Sequence, residues 1–298
     1  MIAAQLLHNP GAGEGAYTKE ELTELLERYG YKCNYASTKE DGWDTIDEDA
    51  ELVIIAGGDG TVRKVMQKLL ERKMKEKKFP LAVLPMGTAN NIGNTFYSSL
   101  DAETVVKSWA QGNRKKVDIG RIEGLKKDMF FMEGFGIGVF PRLMKEMKRQ
   151  EERHEKDPQA ELKTAQEILH DLVRTYEPKK CSITIDGKDY TDDYVLVEVM
   201  NIRSVGPNLF LAPYADPTDG LLDVVLIPAT EKEKLAMYMQ HRKEGVEEPF
   251  TFNIVQGKCI ELKWKGTHAH IDDKLITMDK SLKLKIELHE GLIECLVE

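Results

Sequence analysis

The residues best placed to do chemistry stand together at Gly57-Gly58-Asp59-Gly60-Thr61. Residues 52–56 before them are an unbroken apolar run rich in β-branched side chains, which reads as a strand buried on both faces. After them Val62, Val65, Met66, Leu69 and Leu70 recur at helical spacing, so the glycines mark a strand-to-helix junction with Thr61 near the helix start. Backbone N–H groups at such a junction point outward with no side chain over them, and the helix dipole adds partial positive charge, which suits a phosphate. Asp59 would repel that phosphate unless a cation lay between them, so it reads as a Mg²⁺ or ribose contact. A tight βα turn with a capping aspartate is the alternative reading of the same residues. No Gly-Lys-Ser/Thr follows, which excludes a Walker A loop.

Two more turns of this kind follow predicted strands. Residues 2–7 lead into His8-Asn9-Pro10-Gly11-Ala12-Gly13, and residues 81–84 lead into Pro85-Met86-Gly87-Thr88-Ala89-Asn90-Asn91. Three such turns converge on one edge of an open α/β sheet, where ligands bind in that architecture. Gly11, Gly13 and Ala16 also satisfy a dinucleotide pattern, but the next strand, 31–35, runs into Ala36-Ser37-Thr38 and meets Glu40 and Asp41 only after the loop. NAD binding by that fingerprint is therefore not expected. Residues 18–29 form an amphipathic helix through Leu22, Leu25 and Leu26, ended by Gly30, and the lysine-rich stretch 72–78 reads as a solvated helix end.

The elements that must position these turns require two domains in 298 residues. From residue 117 the pattern changes to short strand-like runs at 116–121, 129–132, 181–185, 194–200, 221–227, 250–255, 258–264 and 282–288. They predict an antiparallel β-rich second domain over 117–288, after an α/β domain over 1–116. A last run at 291–297 reads as a segment, 289–298, that returns to the first domain. A helical insertion at about 141–177 begins with Leu143, Met144 and Met147 among Arg142, Lys145, Lys148 and Arg149, then the charged stretch 150–156. It continues from an Asp157-Pro158 cap with Leu162, Ala165, Leu169, Leu172 and Tyr176 on one face. The basic turn suits packing on the sheet, contact with a membrane surface, or gating of the ligand cleft.

A formal net charge of −9 excludes nucleic-acid binding by bulk phosphate attraction. No apolar run reaches transmembrane length and the first ten residues lack signal-peptide features, so a cytoplasmic protein is expected, with peripheral contact at the inner membrane face left open. Cys33, Cys181, Cys259 and Cys295 form no CxxC and read as reduced core residues. His268, His270 and Asp272 alternate along a predicted strand, a spacing that suits cross-strand packing better than a metal without a third nitrogen or sulfur ligand. The acids of Asp216-Pro217-Thr218-Asp219-Gly220-Leu221-Leu222-Asp223 suit either a hard cation or a plain hairpin turn. Phe210, Tyr214 and the strand edges leave room for a homodimer.

In their order, Asn9-Pro10, Gly57 to Thr61, Leu84-Pro85-Met86-Gly87-Thr88-Ala89-Asn90, Ala212-Pro213-Tyr214-Ala215 and Asp219 to Asp223 resemble the bacterial diacylglycerol kinases and the wider sphingosine and ceramide kinase group. The resemblance covers nearly the whole chain. It implies a Rossmann-like nucleotide domain related to phosphofructokinase and NAD kinase, a C-terminal antiparallel β-sandwich, and a site where ATP meets a lipid alcohol. By the same resemblance ATP lies on Asn9, Gly57, Gly58, Asp59, Gly60, Thr61, Gly87, Thr88 and Asn90, with Asp59 organising Mg-ATP. A structural Mg²⁺ would be held at Asp216, Asp219 and Leu221, and the glycine-rich strand beneath the lipid would be residues 134–138.

Two positions depart from that family. Asn90-Asn91 stands where the family has Asn-Asp, and Asp272-Asp273-Lys274 where it has Asp-Gly-Glu, whose glutamate removes the substrate proton. A protonated lysine cannot be a base, so either Asp272 or Asp273 takes that role or transfer is weak or absent. The expected activity is ATP-dependent phosphorylation of a diacylglycerol-like or other long-chain lipid alcohol. The alternatives are a nucleotide- or lipid-binding regulator of the same fold, and an NAD kinase, which would need an Asn-Glu pair where Asn90-Asn91 stands.

Overall fold

A computed structural model describes residues 1–15, 17–71, 79–151, 158–207, 209–246, 251–277 and 281–298. The expectations at Ala16, at 72–78, over 152–157 and at Phe250, and any for the side chains of Gln150 and Leu162, lie outside the described residues. The chain divides into two units, Met1–Asp118 with Glu290–Glu298, and Ile119–His289.

In the first unit β1 (Ile2–His8), β2 (Tyr31–Ser37), β3 (Leu52–Gly57) and β4 (Leu81–Pro85) form a parallel sheet in the order β2-β1-β3-β4. Between and after them run α1 (Lys19–Arg28), α2 (Asp59–Leu70), α3 (Asn91–Phe96) and α4 (Ala102–Trp109). β3 and β4 are buried along their full length, which explains why their sequences run apolar without alternating. A capping box between Thr18 and Glu21 starts α1, and Gly30 at φ +87° follows its end.

The strand β5 (Arg114–Glu123) leads into the second unit, whose elements are β6 (Met129–Phe131), β7 (Gly134–Gly138), α5 (Val139–Glu151), α6 (Pro158–Thr175), β8 (Lys179–Ile185), β9 (Lys188–Asp189) and β10 (Asp192–Met200). There follow β11 (Ser204–Val205), β12 (Leu209–Phe210), β13 (Leu222–Pro228), α7 (Lys232–Lys243), β14 (Asn253–Gly257), β15 (Cys259–Trp264), β16 (His268–Ile271), β17 (Lys274–Thr277) and β18 (Leu282–Leu296). Its strand pairings are antiparallel. β10 joins two layers: residues 192–194 pair with β8, and its remainder lies between β7 and β13. Val197 and Val199 enter the core that also holds Ile137, Val224, Leu262 and Trp264. Leu196 and Met200 face the other way, into a second core with Phe140, Leu143, Leu169 and Leu235 under the helices. Both faces are covered, so this strand too lacks polar alternation.

The last strand pairs with β15 up to Glu287 and then runs on to place Cys295 parallel to Leu81 of β4. In the first unit Tyr97 fixes that end: its hydroxyl donates to the Leu296 carbonyl (3.2 Å) and accepts from Trp109 Nε1 (3.1 Å). Tyr97→Phe strips both groups of their partner and is expected to lower stability by about 1–3 kcal/mol in urea unfolding. Among the described residues no helix is long and apolar enough to cross a membrane, and Phe210 and Tyr214 are exposed.

Candidate functional site

In the first unit three strands end level. His8 pairs with Ala56 and Gly57 with Pro85. Backbone bonds carry the register into the turns, from Asn9 N to Ala56 O (2.9 Å) and from Met86 N to Gly57 O (3.0 Å). Gly58 and Gly87 touch backbone to backbone: a Cβ on Gly58 would lie 2.9 Å from Gly87 Cα, and one on Gly87 would lie 2.6 Å from Gly58 Cα. A Cβ on Gly57 would lie 2.6 Å from Thr61 Cβ. Only glycine fits where the turns meet, and the two backbones approach with no side chain between them.

Polar side chains tie the turns. Asn9 Nδ2 donates to Thr61 Oγ1 (3.0 Å), while Asn9 Oδ1 accepts from Gly11 N (3.2 Å). Asn90 is buried and left-handed at φ +50°; its Oδ1 accepts from Gly87 N and its Nδ2 donates to Gly87 O (2.6 and 2.7 Å). Gly60 is half-buried and Thr88 exposed on the same turns.

Asp59 does something the sequence could not reveal. Its Oδ2 accepts from Asn91 N (2.9 Å) and its Oδ1 from Ile92 N (3.1 Å). Asn90, at the N-cap of α3, makes no side-chain cap bond, so the carboxylate of a different turn caps that helix. Asp59 therefore locks the turn after β3 to the turn after β4. Lys39 is a residue that sequence reasoning missed: its ammonium lies where a Cβ on Gly11 would meet it at 3.1 Å, which puts a cation beside the turn after β1. A lysine two residues past the end of a strand carries no signal of its own, so only the folded loop brings it there.

In the second unit the β16–β17 turn carries Asp272, Asp273 and Lys274. Asp272 is buried and left-handed at φ +48°. Its carboxylate accepts from Met132 N (3.3 Å), Glu133 N (2.9 Å) and Gly134 N (3.1 Å). Burial pushes its carboxyl up to about 6, against the pull of those three amides toward the ionised form. The expectation that Asp272 could be the base meets this geometry: a buried carboxylate holding three amides is an anchor, and Asp273 and Lys274 beside it are exposed. His268 and His270 do share a face, but His270 meets Glu198 and His268 Nδ1 meets Thr267 Oγ1 (3.0 Å).

The turn before β13 is oxygen-rich. Asp216 Oδ1 accepts from Thr218 N and Oγ1 (3.0 and 2.7 Å), and Asp219 Oδ1 accepts from Leu221 N (2.9 Å). Asp223 is buried, its Oδ2 has no hydrogen-bond partner among the described residues, and burial followed by the Asp219 charge pushes its carboxyl up to about 6, with Gln256 opposing. Among the described residues no three His, Cys, Asp or Glu side chains gather as a metal cluster, so any cation here would lean on backbone carbonyls.

Residues 3–122 match the diacylglycerol kinase catalytic domain, and residues 148–277 match the YegS C-terminal NAD kinase beta sandwich-like domain. The chain is 33% identical over 128 residues to the diacylglycerol kinase of Staphylococcus carnosus (strain TM300), a match spanning 40% of each protein. It is 29% identical over 238 residues to the "Probable lipid kinase YegS-like" of Klebsiella pneumoniae (strain 342), covering 76% of this chain and 75% of that one. The crystal structure of a diacylglycerol kinase from Bacillus anthracis str. Sterne superposes with a TM-score of 0.73 at 22% identity, over 100% of this chain and 97% of that chain. This last likeness is one of fold.

Proposed function

The chain belongs to the diacylglycerol kinase and lipid kinase family, and from that premise we propose that it transfers the γ-phosphoryl group of ATP to the hydroxyl of a diacylglycerol-like or other long-chain lipid alcohol. The observation that carries the reading is the Asp59 lock, which fixes the glycine turn after β3 against the one after β4, at a strand-to-helix junction of the kind that binds phosphate. The triphosphate lies along Asn9, Gly57, Gly58, Gly60, Thr61, Gly87, Thr88 and Asn90, with Lys39 adding positive charge. Asp59 serves by fixing those turns.

In the transfer the bond from the γ-phosphorus to the bridging oxygen breaks, ADP leaves, and the lipid oxygen bonds to phosphorus. Its proton passes to Asp273, the exposed carboxylate of the β16–β17 turn. Such a reaction draws mainly on positioning and charge stabilisation, so it survives the absence of the family's glutamate. The oxygen-only donors at 216–223 fit a hard cation, because among the described residues the buried Asp223 Oδ2 has no partner and lies near the Asp219 charge. A Mg²⁺ held by the carbonyls of Asp216 and Leu221 and by Asp219 would neutralise those acids and brace the turn.

A second reading, a binding protein with feeble turnover, is favoured by two observations: lysine occupies position 274, and Asp272 is sequestered. The test is transfer of labelled γ-phosphate from ATP to a panel of micellar lipid alcohols. The kinase reading expects label on at least one of them. Saturable Mg-ATP binding with background label on every alcohol would leave only the binding reading.

A further inference from the structure

Glu198 and His270 are both wholly buried, on strands that do not touch. Both are in register with Gly136 of β7, the strand between them. Two strand spacings set their backbones roughly 9.5 Å apart, and their side chains meet over that glycine. His270 Nε2 lies 2.9 and 3.1 Å from the two Glu198 oxygens. A Cβ on Gly136 would fall 2.1 Å from Glu198 Oε1, so this row of three strands has room for the pair only because its middle residue has no side chain. The ring of Phe140 from α5 closes over the imidazole, with centroids 5.4 Å apart.

The other ring nitrogen, Nδ1, lies 2.9 Å from the backbone carbonyl of Asp272. Both His270 partners offer acceptor oxygens, the arrangement that an imidazolium beside a carboxylate makes with a proton on each ring nitrogen. Burial alone would lower its pKa; the Glu198 charge and hydrogen bond reverse that and hold it above its ordinary value. Apolar residues of similar volume would stabilise such a place as well as an ion pair or better, so stability does not account for it. What the pair does have is a geometric product. It grips the carbonyl of Asp272 at the residue whose left-handed backbone turns β16 into β17.

We propose that Glu198 and His270 are positioning residues that set the Asp272–Asp273 turn and thereby aim the Asp273 carboxylate at the acceptor hydroxyl. This rests on the assignment of the acceptor proton to Asp273. Glu198 holds the ring, the ring holds the Asp272 carbonyl, and the Asp272 carboxylate holds the amides of Met132, Glu133 and Gly134. The turn is thus fixed from both sides, and Asp273 is the next residue along the chain.

The test uses the full chain with Glu198→Gln, His270→Asn and His270→Leu. Glu198→Gln keeps a neutral version of the same geometry, since its amide donates to Nε2 while Nδ1 keeps its proton for Asp272, and it should lower kcat by less than His270→Leu does. His270→Leu removes both bonds and should lower kcat by about 10²-fold with KM for Mg-ATP unchanged. His270→Asn, which keeps a donor near Nδ1, should recover part of that loss. Independently of turnover, hydrogen exchange at Met132 to Gly134 should speed up in His270→Leu and not in Glu198→Gln, and the parent should show both ring N–H protons of one histidine by NMR. A parent without any transfer would sink the kinase reading, while exchange and NMR would still decide the pair. Unchanged exchange in His270→Leu, a single ring N–H, or equal loss of kcat and of Mg-ATP affinity in that variant would overturn the proposal.

Discussion

Asp59→Ala is expected to abolish saturable Mg-ATP binding and to lower phosphoryl transfer by about 10²- to 10⁴-fold. That range follows from two charge-assisted bonds, to Asn91 N and Ile92 N, each worth about 1.5–3 kcal/mol. Alanine would leave the first turn of α3 without its cap and release the turn after β4 from the turn after β3. Asp59→Asn keeps one acceptor oxygen and should fall between the parent and the alanine variant. Circular dichroism with urea titration separates the two effects, because the loss should exceed any fall in the folded fraction. Binding by Asp59→Ala at parental affinity would contradict the role given to that carboxylate.

Lys274→Glu should act in the opposite direction, raising kcat toward lipid alcohols by one to two of the roughly two to four orders of magnitude that a general base contributes. Position 274 is exposed in the β16–β17 hairpin, paired with Ile271, so the exchange disturbs no core. It also turns a positive charge beside Asp273 into a negative one, which favours proton uptake there. KM for Mg-ATP should not move. Asp273→Asn is the companion experiment, expected to lower kcat in the parent background and to matter less when combined with Lys274→Glu. If neither substitution changes kcat, the β16–β17 turn takes no part in the proton step.

Much of this was legible in the sequence where one local signal sufficed. The apolar runs of β1, β3 and β4, each broken by glycine, located the parallel sheet and the turns at its edge, because strands covered on both faces cannot hide their composition. Other features needed the fold. The helix α7 gave no stripe to read: Leu235, Ala236, Tyr238 and Met239 are buried while Met237 among them is exposed. The runs read separately at 282–288 and 291–297 are one strand, continuous through Gly291 at φ +56°, whose N–H donates to Asp118. The Asp59 lock and the Glu198–His270 pair join residues 32 and 72 positions apart, and no spacing rule reaches that far. Gly136 was visible only as one glycine in a glycine-rich strand. Its reason, the carboxylate lying over it, belongs to the neighbouring strand.

The proposal that glycine turns of the first unit hold a triphosphate is tested most directly by calorimetric titration of Mg-ATP into the parent and into Gly87→Ala. The added methyl of that variant must push against Gly58 Cα, which would lie 2.6 Å away. One saturable site per chain is expected in the parent and at least a tenfold weaker one, or none, in the variant, about 1.4 kcal/mol or more. No saturable heat from the parent, or identical isotherms from both proteins, would contradict it.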